Sequence, residues 1–224
     1  MSSIDNPFKD EKYQPEEPER PDELPEDVII SSDTRREKRL PPGQSRTRRW
    51  PVLDASGPPP VELSTWKLEV FGLVDAPGNL NWQEFKKLPR VKVFSDFHCV
   101  TKWSRLGNHW EGVATREIAR IFGVQPAARF VICHAYDNGW TTNLPIEYFL
   151  AEDSLLADTH DGTPISIEHG GPLRAIIPQL YAWKSAKWIR AIEFVKTDRA
   201  GFWEDGGYHM VGDPWSEQRF RWNG

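Results

Sequence analysis

Residues 94–111 read FSDFHCVTKWSRLGNHWE, and the meaning of the rest of the chain turns on them. They hold Cys99, one of only two cysteines, together with His98 and His109, two of the six histidines. Lys102, Trp103 and Arg105 follow Cys99 within six residues. Cations near a thiol stabilise its thiolate, so His98, Lys102, Arg105 and His109 predict a lowered thiol pKa at Cys99. A thiolate serves as a nucleophile or as a soft metal ligand. The plain alternative is a buried structural cysteine, the commonest fate of a free one. A cysteine hydrolase would need a base and an orienting group, for which His134 and His169 are the candidates. Structural zinc shows ligand pairs spaced by two to five residues. Here the pairs 98/99 and 133/134 are adjacent residues, which a strand sends to opposite faces, so the spacing argues against zinc.

The bulk of the sequence narrows the classes. Its 224 residues are enough for one large domain with a full core. There is no long apolar run and no apolar N-terminal signal region, so neither a bilayer span nor an export signal is expected. Two cysteines 34 positions apart need no disulfide, and a cytoplasmic protein is the reading. The net charge of −5 is uneven: residues 1–40 hold 12 acids and 7 bases, whereas the remainder holds 21 of each. A basic footprint for nucleic acid is therefore absent, and any anion must be held by local clusters.

Taken in order, residues 1–40 read as a disordered acidic leader, with prolines at 7, 15, 18, 21 and 25 among charges. Its only apolar run, 28–30, suits a short edge strand. Residues 41–224 form the domain. The segment LPPGQSRTRRWPV (40–52) is extended because its prolines forbid helix, and its arginines suit an anionic ligand. Residues 66–70, WKLEV, alternate as a half-buried strand. Asn81 and Glu84 form a capping box for a helix over 82–87, ended by Pro89. A strand over 91–94 leads into the opening stretch. Thr115 is the candidate N-cap of a helix closed by Gly123. Strands follow at 130–133, 173–177 and 189–195, with a turn at Asp137, Asn138 and Gly139 and a short helix over 144–150. The aromatic end, 201–222, packs on the domain. Short elements in mixed order predict an α+β fold with mixed β-sheets and short helices.

A second rich stretch, HGGPLRAIIPQLYAWKSAKWIRAIE, spans residues 169–193. Lys184, Ser185 and Lys187 lie close together with Arg174 upstream. A backbone turn with lysine and serine can hold a phosphate, although the glycines of a Walker loop are missing. Gly170 and Gly171 suit close backbone approach, to a ligand or within a turn.

Three motifs in order, DFHCVTKWS, HGGPLRAIIP and YAWKSAKWIRAIEF, resemble the molybdopterin-binding domain of the sulfite oxidase family. The resemblance covers roughly residues 40–222. It is closest to bacterial sulfite-oxidase-like oxidoreductases, near the periplasmic methionine-sulfoxide reductase catalytic subunit. It implies the sulfite-oxidase-type fold and a mononuclear molybdenum held by the dithiolene of one pyranopterin and by one cysteine, here Cys99. His169 and Arg174 fall on the family's pterin-contacting HG/N-G-x-P-x-R motif. Ala182, Trp183 and Lys184 fall on its G-F-K loop, with Ala for Gly and Trp for Phe. Ser185 and Lys187 would complete the phosphate grip. Thr47, Arg48 and Trp50 fall on a loosely aligned N-terminal contact strand, and His134 on a further loosely aligned contact.

The implied activity is two-electron oxygen-atom transfer on a small S-oxide, sulfite-like or related substrate, with electrons exchanged singly with an outside carrier. Lys102, Arg105, His109 and Trp103 are then candidates for the substrate approach. The chain departs from true sulfite oxidases in ending just past the core motifs, without a second immunoglobulin-like dimerisation domain, so a monomer is expected. It also shows no haem segment and no matching sulfite-pocket arginines. The rival reading is a non-catalytic module that holds a pterin or another anion.

Overall fold

The computed structural model describes residues 21–137 and 139–222. Twelve strands and four short α-helices are found among them. Strand β1 (Val28–Ile30) and β2 (Ser45–Arg46) precede β3 (Lys67–Gly72), β4 (Gly78–Asn81), α1 (Trp82–Lys86) and β5 (Val91–His98). Next come β6 (Trp103–Ala114), α2 (Thr115–Phe122), β7 (Phe130–Ala135), β8 (Thr141–Pro145) and α3 (Ile146–Phe149). The chain ends with β9 (Leu155–His160), β10 (Thr163–Pro164), β11 (Arg174–Ile176), β12 (Ile189–Val195) and α4 (Phe202–Asp205). This is the expected α+β architecture of mixed sheets and short helices.

Local chemistry explains the element boundaries. Asn81 and Glu84 form the predicted capping box, with Glu84 N–H donating to Asn81 Oδ1 at 3.0 Å and Asn81 N–H to Glu84 Oε2 at 2.8 Å. Gly123 ends α2 at φ +66°, a left-handed position that suits glycine. One expectation shifts by a residue: Ala114 is the N-cap of α2, and Thr115 is its first helical residue. Its hydroxyl donates instead to the carbonyls of Phe149 and Ser154, which ties α2 to the end of α3 and the loop before β9. Of the turn expected at Asp137, Asn138 and Gly139, Asn138 lies outside the described residues, and Trp140 N–H closes on the Asp137 carbonyl.

Two sheets carry the core. One has the order β1-β5-β6-β9-β10, with β2 added on β6 and β11 on β9; the other runs β4-β3-β12-β7-β8. The main apolar cluster lies between them. Leu68, Val70, Val131, Ile192 and Phe194 of the second sheet meet Ile118 and Phe122 of α2 and Val113, Leu156 and Ala175 of the first. A smaller cluster of Phe97, Trp103, Trp110, Ala157 and Ile176 lies around Cys99. The helix α1 is pinned to β9 by Asp158, whose carboxylate accepts from Lys86 Nζ at 2.9 Å and Arg90 Nη1 at 2.8 Å. Burial raises this carboxyl, but those hydrogen bonds outweigh burial and hold its pKa below the usual value. Its stabilisation is thus present above the unfolded pKa of about 3.9 and is lost as pH falls through the folded value. Asp158→Asn should cost about 1–2 kcal/mol at pH 7, because its partners are partly in water. Melting curves of both proteins against pH check this, the gap closing in acid.

Residues 1–20 of the expected leader lie outside the described residues. Residues 21–40 are docked on the domain. Strand β1 pairs in parallel with β5, and Ser31 N–H donates to the Phe94 carbonyl at 2.9 Å. Arg39 grips Asp96 through two donors at 2.6 and 2.9 Å, and Asp33 accepts from Trp215 Nε1 at 2.8 Å. The anchoring partners lie tens to nearly two hundred positions away, so composition alone could not show them. No helix among the described residues is long and apolar enough to cross a membrane.

Candidate active site

Strand β5 ends at His98, and the next residue, Cys99, opens a tight turn into β6. Cys99 N–H donates to the Trp103 carbonyl, and Lys102, at φ +73°, donates its N–H to the Cys99 carbonyl. This turn sets Cys99 into a cleft of ≈ 980 Å³, open mouth included, between the two sheets. It is lined by Phe97, Cys99, Thr101 and Trp103, by Trp50 and His169, whose rings stack at 4.0 Å, and by Ala182, Trp183 and Ser185. Leu53, Trp140, Trp203 and Tyr208 line it further.

The electrostatics centre on Arg174. Its side chain is 3% exposed. It donates to the His169 carbonyl at 2.5 Å and to the Ser185 carbonyl at 2.9 Å, and its guanidinium lies over the rings of Trp50 and Phe97. Among the described residues no carboxylate pairs with it. Burial pulls its pKa down to about 9. An uncompensated buried cation is costly and is retained where an anion completes it. Lys187 adds a second charge: burial, with Arg174 nearby, lowers its pKa to about 8, although Asp54 stands 3.8 Å away. Gly170 and Gly171 make this packing possible. A Cβ on Gly170 would lie 2.8 Å from the Lys187 side chain, and one on Gly171 2.1 Å from the Ile165 carbonyl oxygen. Their close approach is thus to the protein's own chain.

His169 is held in one tautomer. Its Nε2 donates to the Trp50 carbonyl at 2.9 Å, which leaves Nδ1 to accept from the Ser166 hydroxyl at 3.0 Å. Burial lowers its pKa, so the ring is neutral near pH 7.

The structure therefore brings Trp50, Cys99, Trp103, His169, Arg174, Ala182, Trp183, Ser185 and Lys187 to one cleft. Other expected residues are elsewhere. Lys184 is fully buried and points away: its ammonium pairs with Glu204 at 2.6 Å and donates to the Asn143 and Met210 carbonyls and to Asn143 Oδ1. In the 3-10 turn at Ala182–Lys184, the first two residues face the cleft and the third does not. His134 sits on β7 against Glu193 at 3.0 Å. Thr47 uses its hydroxyl to accept from Arg49 N–H, and Arg48 offers its carbonyl to Arg105.

The expected source of charge at Cys99 is also corrected. Arg105 is held by Asp161, Asn108 and His160, and His109 packs on Phe94. Lys102 is not among the residues lining the cleft. His98 faces the other side of its strand, bonded to Ser104 Oγ at 2.8 Å, and burial lowers its pKa to about 4. Burial pushes the Cys99 thiol up; the Thr101 hydroxyl, donating to Sγ at 3.2 Å, and the Arg219 charge oppose this. Cys133 lies in the core, its thiol pushed up to about 12 by burial. Phe97, Trp188, Tyr208 and Arg219 were not singled out by sequence. No cluster of three or more His, Cys, Asp or Glu side chains suited to a metal occurs among the described residues.

A thiol, two cations without full compensation and tryptophan faces in one cleft suit an anionic cofactor carrying a soft metal. The comparisons agree. The chain belongs to the family of oxidoreductase molybdopterin-binding domains, whose pattern matches residues 56–203. It is similar to the uncharacterized oxidoreductase YuiH of Bacillus subtilis (strain 168), with 52% identity over 186 residues, 83% of this chain and 93% of that protein. It is also similar to the protein-methionine-sulfoxide reductase catalytic subunit MsrP of Xanthomonas campestris, with 27% identity over 65% of this chain and 49% of that one. Against that reductase the chain spans about half the length. The sulfane dehydrogenase SoxCD of Paracoccus pantotrophus shares the fold, with a TM-score of 0.59 and 19% identity over 63% of this chain and 41% of that one. The chain is a molybdopterin-dependent oxidoreductase of the sulfite-oxidase type, and its cofactor is a molybdenum pyranopterin. The donor set of the cleft fits that group: a thiol for the metal, Arg174 and Lys187 for a phosphate, and tryptophan faces for the rings.

Proposed function

We propose that this domain carries out two-electron oxygen-atom transfer on a small S-oxide or related substrate, with Cys99 as the protein ligand of molybdenum. The observation that carries the reading is the buried Arg174 in the Cys99 cleft, which pairs with no carboxylate among the described residues. When bound, the cofactor supplies reversible two-electron redox chemistry coupled to oxygen-atom exchange. The protein does the rest. Arg174 and Lys187 neutralise the pterin phosphate, and the turn through Ala182, Trp183 and Ser185 offers it backbone and hydroxyl groups. Trp50, kept upright by His169, covers a ring face. Neutral His169 adds no charge that would compete with the two cations.

The residues lining the cleft also bear on substrate. Lys102, Arg105 and His109 do not line it, whereas Leu53, Trp140, Trp203 and Tyr208 do. Such apolar walls favour an S-oxide with an apolar substituent over the sulfite anion. Turnover of paired S-oxides and sulfite with an artificial electron donor should rank them in that order of kcat/KM. We further assign to this reading a monomer working in the cytoplasm with an outside one-electron carrier. Cys99 and Cys133 are both free and buried, as suits a reducing compartment.

The reading is tested by metal and pterin analysis of protein from a molybdenum-replete host. One molybdenum and one pterin per chain are expected, and protein free of both would end it. Arg174→Met should weaken cofactor retention by about 10- to 100-fold, the value of a lost charge-assisted hydrogen bond. Stability without cofactor should move by no more than about 2 kcal/mol, because relief of the desolvated charge offsets the two orphaned carbonyls. Dialysis with pterin fluorescence and a cofactor-free melt read the two effects separately.

A further inference from the structure

Segments from both ends of the described chain, outside residues 56–203, reach the Cys99 turn. Gln44 Nε2 donates to the Cys99 carbonyl at 2.9 Å, and Ser45 N–H donates to the Lys102 carbonyl at 2.8 Å. From the other end comes Arg219, 6% exposed. Its Nη1 donates to the Val100 carbonyl at 2.7 Å and its Nη2 to the Pro42 carbonyl at 3.2 Å. The guanidinium lies 4.9 Å from the centre of the Tyr181 ring. Among the described residues it pairs with no carboxylate, and it does not line the cleft. It has therefore no bound cofactor to touch. A buried guanidinium on carbonyls alone is an expensive way to hold a turn that a neutral donor could hold. What distinguishes it is its place: it is bonded to the carbonyl of the residue that follows Cys99.

We propose that Arg219 is a positioning residue of the metal centre, which fixes the carbonyl following Cys99 and holds a positive charge at the Cys99 turn that raises the reduction potential of the bound metal. The inference rests on Cys99 being the molybdenum ligand. A fixed cation in a medium of low dielectric, unscreened by salt, favours the electron-richer state of a nearby redox centre. Because Arg219 acts through Cys99 and not on the pterin, its loss should shift the potential without releasing the cofactor. Arg174, which faces the cleft, should by contrast release cofactor when it is replaced.

The test is a redox titration of loaded wild-type protein, Arg219→Gln and Arg219→Lys, followed by the paramagnetic signal of the metal, with molybdenum and pterin content measured on the same samples. Arg219→Gln should keep both contents and lower the reduced-to-oxidised ratio at a given potential about tenfold, ~59 mV for a one-electron couple. Arg219→Lys, which keeps the charge, should restore most of that shift. A merely structural role would lower the melting temperature of both variants and leave both potentials at the wild-type value, and that result overturns the proposal. Should Arg219→Gln not fold, Gln44→Lys carries the test. It adds a cation at the Cys99 carbonyl from the other segment and should raise the potential; an unmoved potential rejects the charge effect. Wild-type protein that loads no molybdenum, or Cys99→Ser protein with an unchanged thiolate-to-metal band, would remove the ligand assignment and this inference together. Loaded protein bound through Cys99 with an indifferent Arg219→Gln removes only the inference.

Discussion

Cys99→Ser is expected to reduce turnover more than about 100-fold, beyond the 10- to 100-fold typical of losing a group that merely supports a metal ligand. The substitution is close to isosteric. The new hydroxyl can accept the bond that the Thr101 hydroxyl now gives to the sulfur at 3.2 Å, so the cleft stays in place. Stability should change by under about 1 kcal/mol. The pterin should still bind, because Arg174 and Lys187 are untouched. Absorption between thiolate and metal should vanish with the activity. Cys133→Ser is the control. Cys133 is fully buried in the core between the sheets, and a hydroxyl there has no partner, which costs about 1–3 kcal/mol. Activity per folded molecule should be unchanged, as Cys133 does not line the cleft. Visible spectra, specific activity and melts on both variants decide it. Full turnover in Cys99→Ser would reject the ligand assignment.

Lys184→Met is expected to cost about 3–5 kcal/mol, the usual penalty for stranding one member of a buried ion pair. Both side chains of the Lys184–Glu204 pair are 0% exposed. Glu204 also accepts from Thr142 Oγ1 at 3.0 Å, Trp183 Nε1 at 2.8 Å and Gly201 N–H at 3.1 Å, so the pair closes α4 and the aromatic C-terminal segment over β8. Burial lowers the Lys184 pKa and Glu204 opposes that shift. The Lys184→Met, Glu204→Gln double variant keeps an acceptor for Trp183 and removes the stranded charge. It should recover about 1–3 kcal/mol relative to the sum of the single changes, the size of coupling between groups in one network. Chemical denaturation of the four proteins measures this. A Lys184→Met protein that melts like the wild type but sheds its pterin would instead return Lys184 to the phosphate, where the sequence resemblance had put it.

The contrast between Lys184 and Lys187 shows what kind of information a sequence carries. The motif YAWKSAKW marks a turn that contributes to the cleft, and Ala182, Trp183, Ser185 and Lys187 are there. Which of two nearby lysines faces the ligand depends on the dihedrals of a single 3-10 turn and on a glutamate twenty positions later. Cys99 is a similar case. Its presence at the end of a strand, in order with two later motifs, was legible. The neighbours that set its electrostatics were not. Cations close in sequence face other partners, whereas Arg174 and Arg219 arrive from 75 and 120 positions away.

By itself the sequence determined what short-range physics controls. The α1 capping box, the left-handed Gly123 and the span of β12 follow from residue type and spacing, and so does the fold class, because element lengths and order are local properties. The motif order also determined the family and its cofactor. Only the tertiary structure decided the rest. Pairing of β1 with β5 drew residues 21–40 onto the domain, and packing of the C-terminal segment brought Arg219 to the Cys99 turn. It also sealed Lys184 into the core and left Arg174 with no carboxylate partner among the described residues. These outcomes depend on which distant backbones meet and on how much water is excluded where they do. Charge at the sulfur is a sum over space, and residues adjacent along the chain of residues 94–111 point to both faces of a strand.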